Sequence, residues 1–208
     1  MNSIKYKGLE FFVIFILIPT SFTLNYSFWV KLGVGFFGFI YVIYVLLKIE
    51  NQKFEISKYL DWKFFWKSTI IKLVLIAIIT TGFVWITDSA SLFSVMLNKP
   101  IKWLVLLFVY SFFSVYPQEL IYRTFFFKRY AGLFKNEGLL IFVNAIFFSL
   151  AHLFFGSVLV LVLTFLGGLL FAYTYKKTQS TLLVSIEHAI YGCWLFTVGM
   201  GEMLGFPV

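Results

Sequence analysis

The chain has very little of what a water-facing surface is made from. Of its 208 residues only 12% are charged while 61% are hydrophobic, and the mean hydropathy is +0.93. A soluble domain carries about 25% charged residues, so half the coat is missing and a soluble globule is excluded. The single cysteine, Cys193, rules out an intramolecular disulfide and any multi-cysteine metal site. With four prolines and no Pro/Ser-rich or low-complexity stretch there is no linker, and one integral-membrane domain over 1–208 is expected. Acid is scarce as well, with nine Asp and Glu against 17 Lys and Arg. In a soluble protein that excess would suggest nucleic acid. Here the charges sit between long apolar runs, so the expected partner is the lipid bilayer and no nucleic acid.

A hydrocarbon core about 30 Å thick takes roughly 20 mostly apolar helical residues. Seven such stretches are present: Glu10 to Leu24, Phe28 to Leu47, Ser68 to Thr87, Ile101 through Pro117 to Phe127, Gly138 to Phe155, Ser157 to Tyr175, and Thr181 to Met200. The expected fold class is all-α, a polytopic membrane helix bundle of about seven transmembrane helices. No small-residue cleavage site follows the first apolar run, so it reads as a retained helix. Lys5, Lys7, Lys48, Lys53, Lys58, Lys63, Lys67, Lys128, Arg129, Lys135, Lys176 and Lys177 fall on one face if the chain crosses seven times. Lys31, Lys99 and Lys102 fall on the other, which puts the N-terminus in the cytoplasm. Lys48–Lys67 mixes lysines and acids with Ile49, Phe54, Ile56, Leu60, Trp62, Phe64 and Phe65. It reads equally as an amphipathic interfacial stretch or as a lysine-rich loop. Gly168 and Ala172 form a small-xxx-small pair, the mark of close helix contact.

Ionisable groups inside a bilayer are costly and point to function. Between Trp103 and Met200, outside the loops, there are five: Glu119, Arg123, His152, Glu187 and His188, and both histidines of the chain are among them. At 1.5 Å per residue, Glu119 lies roughly 13 Å in from Lys128, His188 roughly 16 Å in from Lys177, and His152 roughly 21 Å in from Gly138. Three helices thus bring polar groups near the midplane, where each needs a partner. Glu119 and Arg123 share a helix face, as do Gln118 and Tyr122, while Phe148 precedes His152 by one turn and Gly192 follows His188 by one. Pro117 removes a backbone donor and favours a kink just before Gln118. Each group also has a scaffolding reading. Glu119 with Arg123 can be a buried ion pair, His152 a hydrogen-bonded core histidine, and Glu187 with His188 a pair near the cytoplasmic mouth. Asn144 reads as an interhelical hydrogen-bonder.

The order Gln118-Glu119-x-x-x-Arg123, Phe148-x-x-x-His152, then His188 on the last helix resembles the CAAX-processing and bacteriocin-processing (CPBP, or Abi) intramembrane proteases. Their signature is Glu-Glu-x-x-x-Arg, Phe-x-x-x-His and His-x-x-x-Asn or a substitute, and the resemblance covers roughly residues 100–200. It implies a water activated by a carboxylate and a histidine, with the last histidine and its partner stabilising the oxyanion. Carried over, the catalytic residues are Glu119, His152 and His188, supported by Gln118, Arg123 and Glu187. The sequence departs at two positions, having Gln118 for the first Glu and Gly192 for the Asn. The base is then Glu119 working with His152, or Glu187 beside His188, while Gln118 is an alternative oxyanion donor. The resemblance favours a metal-free glutamate mechanism, with a divalent metal on Glu119, His152 and His188 ranked second. Neither His-Glu-x-x-His nor Gly-x-Ser-Gly is present, which argues against the zinc and serine intramembrane proteases.

The function expected is an intramembrane endopeptidase acting on a membrane-associated or lipidated peptide or protein, in a bacterial inner membrane as the resemblance implies. The alternative is a catalytically impaired relative that binds a peptide without cutting it, as a binding or immunity factor. A proton-coupled transporter would show repeated spans, and no internal repeat is present.

Overall fold

The computed structural model describes residues 1, 3–53 and 60–205. It is 85% helical, with no strand among the described residues. Among the described residues six helices are long and apolar enough to cross a membrane by length and composition: α2 (Phe28–Ile49), α3 (Trp62–Ser91), α4 (Pro100–Leu133), α5 (Glu137–Phe155), α6 (Val158–Thr178) and α7 (Thr181–Val198). The first expected span is α1 (residues 4–21), a mixed α- and π-helix as long as α7 but carrying three charged residues, Lys5, Lys7 and the buried Glu10, in its first turns. The Lys48–Lys67 stretch, read equally as interfacial or as a lysine-rich loop, falls partly on residues 54–59, outside the described residues. Beyond them Asp61 caps α3, its Oδ1 accepting from the Phe64 amide at 2.8 Å.

The helix ends follow from local chemistry. Asn136, Ser157 and Ser180 cap α5, α6 and α7 by accepting from the amides of Leu139, Val160 and Leu183. Gly156, at φ +64°, makes the tight left-handed turn that joins α5 to α6. The contact of α5 with α6 is close because Gly168 has no side chain. A Cβ there would sit 3.0 Å from the Cα of Ala145, and Ala172 one turn on is fully buried. This bears out the small-residue reading.

Outward faces are apolar, as lipid requires: Ile86 is 88% exposed, Trp29 76% and Phe113 71%. The interior holds an aromatic core in which Phe15 of α1 meets Phe125, Phe126 and Tyr130 of α4. More than half of α7 is buried. The helix that carries Glu187 and His188 is thus the most enclosed, and its neighbours supply the partners.

Candidate active site

Helix α4 is not uniform. Two π-helical stretches, Tyr110–Val115 and Leu120–Phe125, flank the turn Tyr116–Glu119 that contains Pro117. The chain therefore absorbs the proline by widening the helix rather than by breaking it. The turn sends adjacent side chains in different directions. Gln118 lines the main cavity, whereas Glu119 is fully buried behind it.

Glu119 has two partners. One carboxylate oxygen, Oε1, accepts from His188 Nδ1 at 2.8 Å, and the other, Oε2, lies 3.2 Å from Arg123 Nε. The Arg123 guanidinium in turn donates to Asn144 Oδ1 at 2.7 Å and lies 4.5 Å from the centre of the Phe148 ring. Asn144 bridges α5 to α4 by donating to the carbonyl of Tyr122 at 2.5 Å, so its interhelical role is seen directly. The arrangement carries both readings of Glu119 at once, since the same carboxylate anchors an ion pair and orients a histidine.

His188 is held on three sides. Its ring stacks on Phe171 with centroids 4.2 Å apart, Nδ1 faces Glu119, and Nε2 is 3.1 Å from the hydroxyl of Tyr110. His152 lies just past the regular part of α5, its Nδ1 donating to the Phe148 carbonyl at 2.7 Å. A carbonyl only accepts, so the hydrogen is on Nδ1 and Nε2 is the basic nitrogen. The expected Glu119–His152 pair is not in contact here, because both carboxylate oxygens are committed to His188 and Arg123 and His152 is oriented by backbone.

A cavity of about 670 Å³ joins these groups from three helices, α4, α5 and α7. It is lined by Tyr110, Ser114, Gln118, His152, His188 and Gly192 among mostly apolar side chains of α3, α6 and α7. Gln118 Nε2 donates to Ser114 Oγ at 2.8 Å, and its Oε1 is buried with no partner. An unanswered buried acceptor on the wall of a cavity is a place for a bound hydrogen-bond donor.

Glu187 belongs elsewhere. It forms a 2.5 Å ion pair with Lys72 of α3 and accepts from the Tyr191 hydroxyl at 2.8 Å, and Lys72 reaches Thr174 as well. The structure thus brings Gln118, His152 and His188 to one cavity, puts Glu119 and Arg123 directly behind them, and separates Glu187. Among the described residues no group of three or more His, Cys, Asp or Glu is placed to hold a metal ion. Sequence reasoning missed Tyr110, which lines the cavity and touches His188. The available signal was Gly192, whose missing side chain leaves room for a bulky neighbour.

Residues 100–194 match the model of the family described as Type II CAAX prenyl endopeptidase Rce1-like. That stretch holds all three motifs on which the CPBP resemblance rests. Comparison with curated proteins and with solved structures gives no match.

Proposed function

We propose that the chain is an intramembrane endopeptidase that hydrolyses a peptide bond in a membrane-associated or lipidated peptide, by a water activated without metal. The observation that carries the reading is the meeting of Gln118, His152 and His188 on one largely apolar cavity, at the stretch matched by a family of endopeptidases. Water placed between the open oxygen of Gln118 and Nε2 of His152 loses a proton to the imidazole as its oxygen bonds to the scissile carbonyl carbon. The carbonyl electron pair moves onto oxygen, facing the side of the cavity held by His188 with Glu119 behind it. When the carbon–nitrogen bond breaks, the protonated His152 returns its proton to the leaving amine. Glu119 acts through His188, Arg123 and Asn144 fix Glu119, and Glu187 steadies α7 against α3.

The apolar walls suit a substrate that arrives with its hydrophobic segment or lipid already in the bilayer. The distribution of Lys and Arg supports a cytoplasmic N-terminus, and the bacterial inner membrane setting is what the resemblance implies. The test is cleavage of a panel of membrane peptides, one of them prenylated, by purified protein in lipid, with Gln118→Glu and His152→Ala alongside. Cleavage by the native chain that His152→Ala removes is the expected result. Silence from the native chain with cleavage by Gln118→Glu would overturn it, and would mean a peptide-binding protein on a protease scaffold.

A further inference from the structure

The proposed reaction needs a donor where the carbonyl oxygen gains charge, and Gly192, one turn beyond His188, has no side chain to give one. The place is nonetheless filled. A Cβ built on Gly192 would run into the hydroxyl and ring carbons of Tyr110, so a residue of α4 occupies the space that a side chain at 192 would take. The Tyr110 hydroxyl is 3.1 Å from His188 Nε2, and the ring is wedged edge-on against Phe196 with centroids 4.9 Å apart. Tyr110 also lines the cavity together with Gln118 and His152.

We infer that Tyr110 is a catalytic residue whose hydroxyl donates to the substrate carbonyl oxygen as the tetrahedral intermediate forms, an inference that rests on the endopeptidase reading. His188 lies between Glu119 at Nδ1 and the Tyr110 oxygen at Nε2. The hydroxyl rotates about its bond to the ring, which lets its hydrogen turn to a carbonyl oxygen in the cavity. Polarisation along the chain Glu119, His188, Tyr110 strengthens that donor in a site of low dielectric. Tyr110 transfers no proton. It stabilises the oxygen that receives the carbonyl electron pair and releases it when the carbon–nitrogen bond breaks and the pair returns. The ring is fixed before substrate arrives, so little ordering is needed during the reaction.

The experiment uses the full chain in lipid. Tyr110→Phe keeps the ring and its contacts and removes only the hydroxyl. The expected result is a fall in kcat of about 10²- to 10³-fold, the usual cost of one oxyanion donor, with KM within about twofold. The double variant Tyr110→Ala with Gly192→Asn places a short donor in the vacated space, and it should exceed Tyr110→Ala alone by at least about tenfold. A second measurement needs no turnover: binding of an all-leucine phosphinic tripeptide, a tetrahedral anion, against the same peptide with a reduced, methylene-amine bond. Tyr110→Phe should weaken the phosphinate by about 30-fold or more and leave the reduced peptide unchanged. Equal phosphinate affinity in native and Tyr110→Phe chains, or none in the native chain, overturns the role of Tyr110. Failure of the native chain to cut any peptide while it holds the phosphinate through Tyr110 would instead overturn the endopeptidase reading alone.

Discussion

Two clusters of buried polar side chains lie in one bundle and are built on opposite rules. Around Arg129, near the C-terminal end of α4, the contacts are closed: Nε to Glu10 at 2.8 Å, Nη1 to Glu50 at 2.8 Å and Nη2 to the Met1 carbonyl at 2.6 Å. Glu10 accepts further from Tyr130 at 2.9 Å and from Tyr41. This knot ties α1 and α2 to the helix that carries the site. Around the cavity, by contrast, Gln118 Oε1 has no partner and the basic nitrogen of His152 is not the one its backbone contact uses. Both clusters are buried and both hold charge. The degree to which partners are satisfied is what separates scaffold from chemistry.

That division is open to direct attack. Arg129→Ala should have the largest effect, since it leaves the Glu10 carboxylate buried without a counter-charge at a cost of about 3–5 kcal/mol. Thermal unfolding in lipid measures this, and the folded fraction should retain its turnover. A slowed folded fraction would break the comparison. His152→Ala should do the reverse, reducing kcat by about 10²- to 10⁴-fold with the unfolding midpoint hardly moved. Glu119→Gln sharpens the boundary because Glu119 serves both rules through Arg123 and His188. We expect a stability loss of about 2 kcal/mol together with a reduction in kcat, and a change in only one of the two would assign Glu119 to a single cluster. Gly168→Val is the smallest case. Crowding Ala145 should cost about 1–3 kcal/mol and leave kcat unchanged in the material that folds.

Hydrophobic runs and the scarcity of intramembrane charge were enough to read the spans α2 to α7 and the helices that carry Gln118, Glu119, His152 and His188. Those features depend on period and burial, which a sequence displays. The partners of each group do not. Glu119 goes to His188 rather than His152 because the turn at Pro117 rotates it away from the cavity, and no spacing rule conveys that rotation. Glu187 adjoins His188 in sequence, yet Lys72, 115 residues away, takes it. The knot on Arg129 was hidden for the same reason, with Glu10 119 residues distant. Tyr110 is hidden because it bears no charge, and a phenol in an aromatic-rich helix looks like core.

The two π-helical stretches of α4 give the site a property of phase. A π turn accommodates about one more residue than an α turn, and each residue of an α-helix advances by about 100°. If the stretch Tyr110–Val115 closed to ordinary α pitch with all its residues kept, Tyr110 would swing by about 100° to another side of the helix relative to Gln118. Every side chain of the site would still be present, and they would no longer meet. The sequence in α4 thus encodes an angular offset as well as a set of residues.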